Sequence, residues 1–306
     1  MGRLIPTLFF GSGAFALPAL ARLLETALVD VRAIVTAPPR PAGRKGELRA
    51  TPVAATARSG GIPTRTPTSL REPAVLEELG GEAAELIVLA DYGRIIPAAV
   101  LEMPRYGALN LHPSLLPRHR GASPIPAAIF DADDKTGVTL MLMDEGLDTG
   151  PILAQLEVAL DGSEVAPMLE ERLALLGADL LVDRLPSWLD GSLQERPQPD
   201  EGATLSRPLR RSDGRLDPQR AAVELERQVR AYQPWPGSYI ETAGQRLIVW
   251  RASVVAEAAG GEVGEIVPFG DSVALLTSAG ALRLDELQPA GKRRMGGAEY
   301  RRGRRL

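Results

Sequence analysis

Over the first 190 residues, short apolar runs alternate with stretches of helical period. This pattern restricts the fold more than any other feature of the chain. The apolar runs fall at 8–10, 31–35, 86–90, 109–112, 138–143 and 152–158, and helical spacing covers 15–27, 51–59, 122–130 and 165–189. Parallel neighbours in a sheet need a long crossover, and a helix is the usual one. Alternating strands and helices therefore predict an α/β fold, a Rossmann-like open sheet with helices on both faces.

After residue 190 the composition changes. Residues 190–214 (DGSLQERPQPDEGATLSRPLRRSDG) are rich in Pro, Gly, Ser and charge, and read as a linker. One helical run follows at 219–231, then short strands at 239–242, 245–255, 265–267, 272–277 and 281–284 with glycine turns between them. Such strands predict a small OB-like β-barrel. The 306 residues suit a prior of about two domains. The expected division is 1–189, a linker at 190–208, and a second domain at 209–306.

The net charge of −4 hides an asymmetry. Residues 207–306 hold 17 basic and 12 acidic side chains, and the rest of the chain has a net charge of −9. The stretch 292–306 carries Lys292, Arg293, Arg294, Arg301, Arg302, Arg304 and Arg305 against Glu299 alone. A basic end reads either as a solvated terminus or as an electrostatic footprint for nucleic acid. The chain has no cysteine, which excludes thiol nucleophiles, disulfide frameworks and thiolate metal sites. Only His112 and His119 can supply imidazole chemistry, so no metal is expected. Aromatics, at 4%, are too few for a broad base-stacking platform.

Residues 4–24 are mostly apolar, and ALPALA would serve as a small-residue cleavage site, so a secretory leader is one reading. Pro6, Gly11, Gly13 and Pro18 interrupt an apolar helix there. They favour a buried strand at 5–10, a glycine turn, and a helix with Pro18 in its first turn. No other run approaches the roughly 18 apolar residues of a membrane helix, so a cytoplasmic protein with no membrane partner is expected. The turn Gly11-Ser12-Gly13-Ala14-Phe15-Ala16 also matches the G-x-G-x-x-A dinucleotide fingerprint. That mechanism needs an acid about 20 residues on to hold a ribose. The next strand ends at Val35-Thr36-Ala37-Pro38 instead, which favours a plain strand-to-helix turn.

Ala108-Leu109-Asn110-Leu111-His112 alternates strictly. Residues two apart share a face of a strand, so Asn110 and His112 project together while Leu109 and Leu111 enter the core. A lone histidine is often a core residue. Here the strand ends at His112, and Pro113-Ser114-Leu115-Leu116-Pro117 must be an irregular loop. Sites of open α/β sheets lie at the carboxyl ends of strands. An amide beside an imidazole suits polarising a carbonyl and stabilising its oxyanion. The strand at 138–143 runs into Asp144-Glu145-Gly146-Leu147-Asp148-Thr149-Gly150. This loop is either a solvated acidic turn or the source of a carboxylate for the same crevice.

The segments LNLHPSLLPRHRGASPIPAAI (109–129) and GVTLMLMDEGLDTGPIL (137–153) together resemble the 10-formyltetrahydrofolate-dependent formyltransferases. RPAGR (40–44), VLEMP (100–104), AYQPWPGSY (231–239) and LQPAGKRRM (287–295) resemble the branch of that family that acts on methionyl-tRNA. The resemblance spans nearly the whole chain. It implies 10-formyltetrahydrofolate as formyl donor, no metal, and initiator methionyl-tRNA as acceptor. It implies no DNA, and a monomer is expected.

By the same resemblance Asn110, His112 and Asp148 take the catalytic positions. Ser114, Leu115, Leu116 and Pro117 match the folate-contacting loop, and Tyr92, Gly93, Arg94, Ile95, Ile96, Met143, Asp144 and Glu145 match segments around the pterin. Arg44 and Lys45 lie in the loop that reaches the acceptor stem, and Lys292, Arg293 and Arg294 lie in the basic tail taken to meet RNA. Some positions depart from the family pattern: Pro39 stands where an Asp is usual, Glu47 follows Lys45, and the opening turn is GSGAFA where G-T-P is usual. The implied chemistry is attack of a neutral α-amine on the formyl carbon, with Asn110 and protonated His112 binding the oxyanion and Asp148 holding the imidazole. The alternatives are formylation of a nucleotide-linked amino sugar, hydrolysis of the formyl donor, and, from a different class, non-catalytic folate or RNA binding.

Overall fold

The computed structural model describes residues 3–42, 46–242, 244–256, 258 and 260–304. The chain divides into two compact units: Met1–Pro124 with Lys135–Ala159 and Glu170–Ser206, and Ile125–Asp134 with Leu160–Leu169 and Arg207–Leu306.

The first unit is built on a seven-stranded sheet: β1 (Ile5–Gly11), β2 (Val29–Val35), β3 (Thr64–Arg65), β4 (Leu86–Ala90), β5 (Ala108–His112), β6 (Lys135–Leu142) and β7 (Ile152–Ala159). Their order across the sheet is β7-β6-β5-β4-β1-β2-β3. From β3 to β5 all neighbours are parallel, while β6 runs antiparallel to β5 and β7 antiparallel to β6. This is the expected open α/β sheet with an antiparallel edge. β1 pairs on both sides and buries Leu8, Phe9 and Phe10 almost completely. An apolar run with no polar face is what a strand covered on both faces requires. The stretch weighed as a removable leader is thus a central strand of the sheet.

Helix α1 (Ala16–Glu25) buries Ala16, Ala19, Leu20 and Leu23 on one face, with Pro18 in its first turn. Helix α2 (Pro52–Ser59) starts at Thr51, whose hydroxyl accepts the Ala54 amide at 3.0 Å. Helix α3 (Ala166–Leu189) carries Glu170 and Gly177, the latter against Val138 of β6. Helices at Pro73–Gly81 and Ala98–Leu101 and a hairpin pairing Arg40–Ala42 with Glu47–Arg49 were not expected from periodicity. The chain lays β2 and β3 on one flank of β1, then returns to place β4 on the other. The strand order therefore reverses at the β1–β4 boundary, where open α/β sheets form a crevice.

The second unit holds a six-stranded antiparallel sheet: β8 (Ser238–Thr242), β9 (Gln245–Val255), β10 (Ile266–Phe269), β11 (Ser272–Leu276), β12 (Ala281–Pro289) and β13 (Met295–Gly296). The order is β8-β9-β12-β11-β10, with β13 on β12. Helix α4 (Ala222–Ala231) adds Leu225 and Val229 to a core with Leu247, Val249, Leu275, Leu282 and Leu287. No described helix is long and apolar enough to cross a membrane.

Candidate active site

β5 delivers Asn110 and His112 two residues apart, as the alternation predicts. Asn110 is half-buried, and its carboxamide makes no hydrogen bond among the described residues. It is a donor held in place by the strand and left open. His112 is only 4% exposed. Its Nε2 faces the carbonyl oxygen of His119 at 2.9 Å. A carbonyl brings no proton, so Nε2 carries one and donates it. Nδ1 is left toward Asp148, whose Oδ2 lies 3.7 Å away.

Asp148 reaches this position by an indirect route. β6 is antiparallel to β5, with Leu109 opposite Leu142 and His112 opposite Thr139. The loop leaving β6 therefore begins beside the start of β5, at the far end from His112. It is turned back by its own polar side chains. Asp144 accepts from the Thr149 hydroxyl at 2.8 Å and from the Gly146 amide at 3.0 Å, and Asp148 itself sits at φ +53°. Asp148 Oδ2 then accepts the Gly121 amide at 2.7 Å. Of the two readings of this loop, a solvated acidic turn or the source of a carboxylate for the crevice, Asp148 fits the second by position, since its Oδ2 lies 3.7 Å from His112 Nδ1.

Residues outside every sequence expectation hold the site together. Gln198 donates to the carbonyls of Asp148 and Gly150 at 2.8 and 2.7 Å, and the Thr204 hydroxyl accepts the His119 amide at 2.8 Å. Leu205–Ser206 pairs with Arg120–Gly121. The stretch at 190–208, read as a linker on composition, is thus ordered at these positions and braces the loop that carries Gly121. Thr139 donates to the Ser114 carbonyl at 2.7 Å and accepts the Leu116 amide at 3.1 Å, while Gln155 donates to the Leu116 carbonyl at 2.9 Å. Mid-strand Thr and Gln carry no local signal of such a duty.

The remaining expected site residues separate by exposure. Ser114, Leu116, Tyr92 and Ile96 are buried, and Tyr92 stacks edge-on against Phe10 at 5.2 Å. Leu115, Pro117 and Met143 are partly exposed, and Asp144 is exposed. Arg94 donates to the carbonyls of Pro67 and Thr68. Gly93 and Glu145 are exposed, and so is Ile95 at 76%, with Leu147 at 59% nearby in the Asp148 loop's sequence. Lys292 is exposed, Arg293 pairs with Glu299, and Arg294 lies over Trp250 at 3.4 Å. Arg44 and Lys45 fall outside the described residues.

At the β1–β4 reversal a cavity of about 330 Å³ is lined by Gly13, Arg40, Arg49 and Asp91, and by Tyr92, Gly93 and Arg94, which the sequence assigns to the surroundings of the pterin. Thr36, at the end of β2, bonds Thr51 at 2.7 Å and Ser12 at 3.3 Å, in the place where a dinucleotide fold would carry its acid. Asp91 is exposed as a residue, but its carboxyl sits against the turn after β1, and desolvation there, with Glu170 nearby, pushes it up to about 6, opposed by the Gly13 amide. Glu170 is itself raised by burial, opposed by the Phe15 amide. Among the described residues no group of three or more His, Asp or Glu could hold a metal ion.

Residues 5–185 match the formyl transferase family, and residues 208–305 match the formyl transferase C-terminal domain. The chain is 44% identical to the methionyl-tRNA formyltransferase of Myxococcus xanthus, covering 97% of this chain and 95% of that one. It is 42% identical to the methionyl-tRNA formyltransferase of a Roseiflexus species, over 97% and 92%. Among solved structures it is similar in fold to an N-formyltransferase from Helicobacter canadensis in complex with folinic acid and dTDP-3-aminofucose. That match has a TM-score of 0.67 at 16% identity, covering 94% of this chain and all of the other. HypX from Aquifex aeolicus in complex with tetrahydrofolic acid gives a TM-score of 0.62 at 16% identity, over 98% and 47%.

Proposed function

The chain belongs to the formyl transferase family, and we propose that it carries the formyl group of 10-formyltetrahydrofolate to the free α-amino group of initiator methionyl-tRNA. The product is N-formylmethionyl-tRNA, which starts bacterial-type translation. The observation that carries this reading is likeness to methionyl-tRNA formyltransferases through both units, including the C-terminal one.

Asn110 donates from its open carboxamide to the oxygen that becomes negative when the amine attacks the formyl carbon. His112 stands behind it with Nε2 fixed on the His119 carbonyl, and its cationic form directs Nδ1–H toward Asp148. The sequence expectation had the protonated ring bonding the oxyanion directly. With Nε2 taken up by the His119 carbonyl, the ring acts through Nδ1, where it exchanges a proton. Losing one oxyanion donor costs on the order of 3 kcal/mol.

The exposed apolar side chain of Ile95, close in sequence to the open backbone at Gly93, and that of Leu147 in the Asp148 loop are of the kind that suits a flat pterin with polar edges. Tyr92, Ile96, Ser114 and Leu116 would shape that surface from beneath, because they are buried. Lys292, Arg293 and Arg294 supply cations for RNA phosphates, and Arg44 and Lys45 are assigned the acceptor stem on sequence grounds alone.

The test offers a labelled formyl donor with charged initiator tRNA, uncharged tRNA, a nucleotide-linked amino sugar, or buffer. Label on charged tRNA alone is expected. Label on the sugar, or free formate in buffer at the same rate, would overturn the assignment.

A further inference from the structure

The cavity at the β1–β4 reversal contains a carboxylate that the reaction as described does not use. Asp91 follows Ala90, which pairs with Leu111 of β5, so Asp91 leaves its strand level with His112 and two residues beyond the level of Asn110. Its backbone is left-handed, at φ +46°. A non-glycine residue rarely holds that conformation unless the surroundings impose it, and such positions gather at functional sites. The carboxylate is also given room. A Cβ on Gly13 would come within 1.7 Å of Asp91 Oδ2. The second glycine of the G-x-G turn therefore makes space for this side chain, and no dinucleotide is needed to explain it.

The charges around Asp91 form a pattern. Gly13 approaches it from the turn after β1, Glu170 from α3, Arg40 and Arg49 from the hairpin across the cavity, and Arg94 from its own loop. Arg94 is committed to two carbonyls. Arg40 and Arg49 face each other across the hairpin and have no side-chain partner among the described residues. Asp91 has no ion pair among them either. One unpaired carboxylate opposite two unpaired guanidinium groups is complementary to a ligand with an ammonium and a phosphate. An aminoacylated terminal nucleotide is such a ligand.

We propose that Asp91 is the anchor for the acceptor's α-amino group: it binds the ammonium in the cavity and takes the proton that must leave before the nitrogen can attack. This deepens the formyl-transfer reading and rests on it. In the first step one N–H bond of the ammonium breaks and an O–H bond forms on Asp91, giving a carboxylic acid and a neutral amine. The amine lone pair then forms a bond to the formyl carbon, and the C=O π pair moves to oxygen beside Asn110. Collapse reforms C=O and breaks the bond to the donor nitrogen, which keeps the electron pair. The second amine proton passes to that leaving nitrogen, for which His112 Nδ1 is the nearby relay. The proton on Asp91 returns to solvent. A carboxyl raised to about 6 lies closer to an α-amino group at about 7.7–8 than an ordinary carboxyl does, so this transfer is less uphill.

The experiment compares the full-length protein with Asp91→Asn. kcat/KM for methionyl-tRNA is measured from pH 5 to 9 at saturating donor. Retention of tRNA charged with methionine, or with its 2-hydroxy analogue, is measured alongside without donor. The wild type is expected to rise through about pH 6 and level off or fall above the amine's own pKa. The Asn variant is expected to lose on the order of 10²-fold at pH 7 and to keep rising with pH through about 8 as neutral amine accumulates. The wild type should prefer the amino over the hydroxy ester by about tenfold or more, and the variant should not. Unchanged pH profile, rate and preference in a variant that folds would overturn the role of Asp91. Absence of transfer by the wild type would instead overturn the formyltransferase reading, and the retention preference would still decide Asp91.

Discussion

Oδ2 of Asp148 stands 3.7 Å from Nδ1 of His112 while accepting the Gly121 amide hydrogen at 2.7 Å. One oxygen thus ties the histidine strand, the loop after it and the return loop from β6 into a single arrangement. Asp148→Asn keeps an acceptor for Gly121 but removes the charge facing the imidazole. The variant is expected to fold and to lose on the order of 10²-fold or more in kcat. Thermal melting beside steady-state formylation separates the two effects.

Asn110 makes no protein hydrogen bond among the described residues, so its removal leaves nothing unsatisfied. Asn110→Ala is expected to lower kcat by roughly 10²–10³ with little change in the acceptor KM. Its melting temperature should stay near wild type. A large loss of stability would mean that the carboxamide is structural.

Gly13→Ala drives a Cβ into Asp91 Oδ2. The overpacking should cost about 1–3 kcal/mol of stability, measured by urea denaturation. If the clash is with Asp91, pairing Gly13→Ala with Asp91→Ala should recover most of that loss while activity stays low. Additive losses would show that the conflict lies elsewhere.

The raised carboxyl of Asp91, at about 6 against a model-compound value of 3.8, also makes a stability prediction. A carboxyl raised in the folded state is charged more readily in the unfolded one. Its relative stabilisation is full below about pH 3.8 and lost as pH rises through about 6. Asp91→Asn should therefore melt higher than wild type at pH 8 and at the same temperature near pH 3.5. Asp91 is an exposed residue, so solvent screening makes the difference small while keeping its sign.

RNA affinity carried by the basic tail should fall steeply between 50 and 200 mM salt, by about 10³ or more if six or so phosphates are contacted. Arg293 is paired with Glu299 and Arg294 lies on Trp250, whereas the Lys292 ammonium has no partner among the described residues. Lys292→Ala should lower the salt slope by about one unit, read by filter retention at several salt concentrations. An unchanged slope would remove Lys292 from the RNA surface.

What depends on local periodicity is legible in the chain alone. The apolar runs become strands because a run of β-formers without a polar face must be covered on both sides, as in β1 and β4. Asn110 and His112 share a face because side chains on a strand repeat every two residues. The glycine turn is readable as a turn for the same local reason.

Tertiary structure decided the rest. Nothing in residues 135–142 states that β6 runs opposite to β5, because pairing direction is settled by which edge of the sheet is free when the strand arrives. That direction forces the Asp148 loop to double back, where Asp144 and Gln198 hold it, while Thr204 fixes the loop after β5 through His119, 85 residues away. The stretch at 190–208 looked like a linker because composition records flexibility in isolation, not the hydrogen-bond partners waiting on another loop. Gly13 and Asp91 are 78 positions apart in the chain, and only their packing at the β1–β4 reversal shows that one exists to make room for the other.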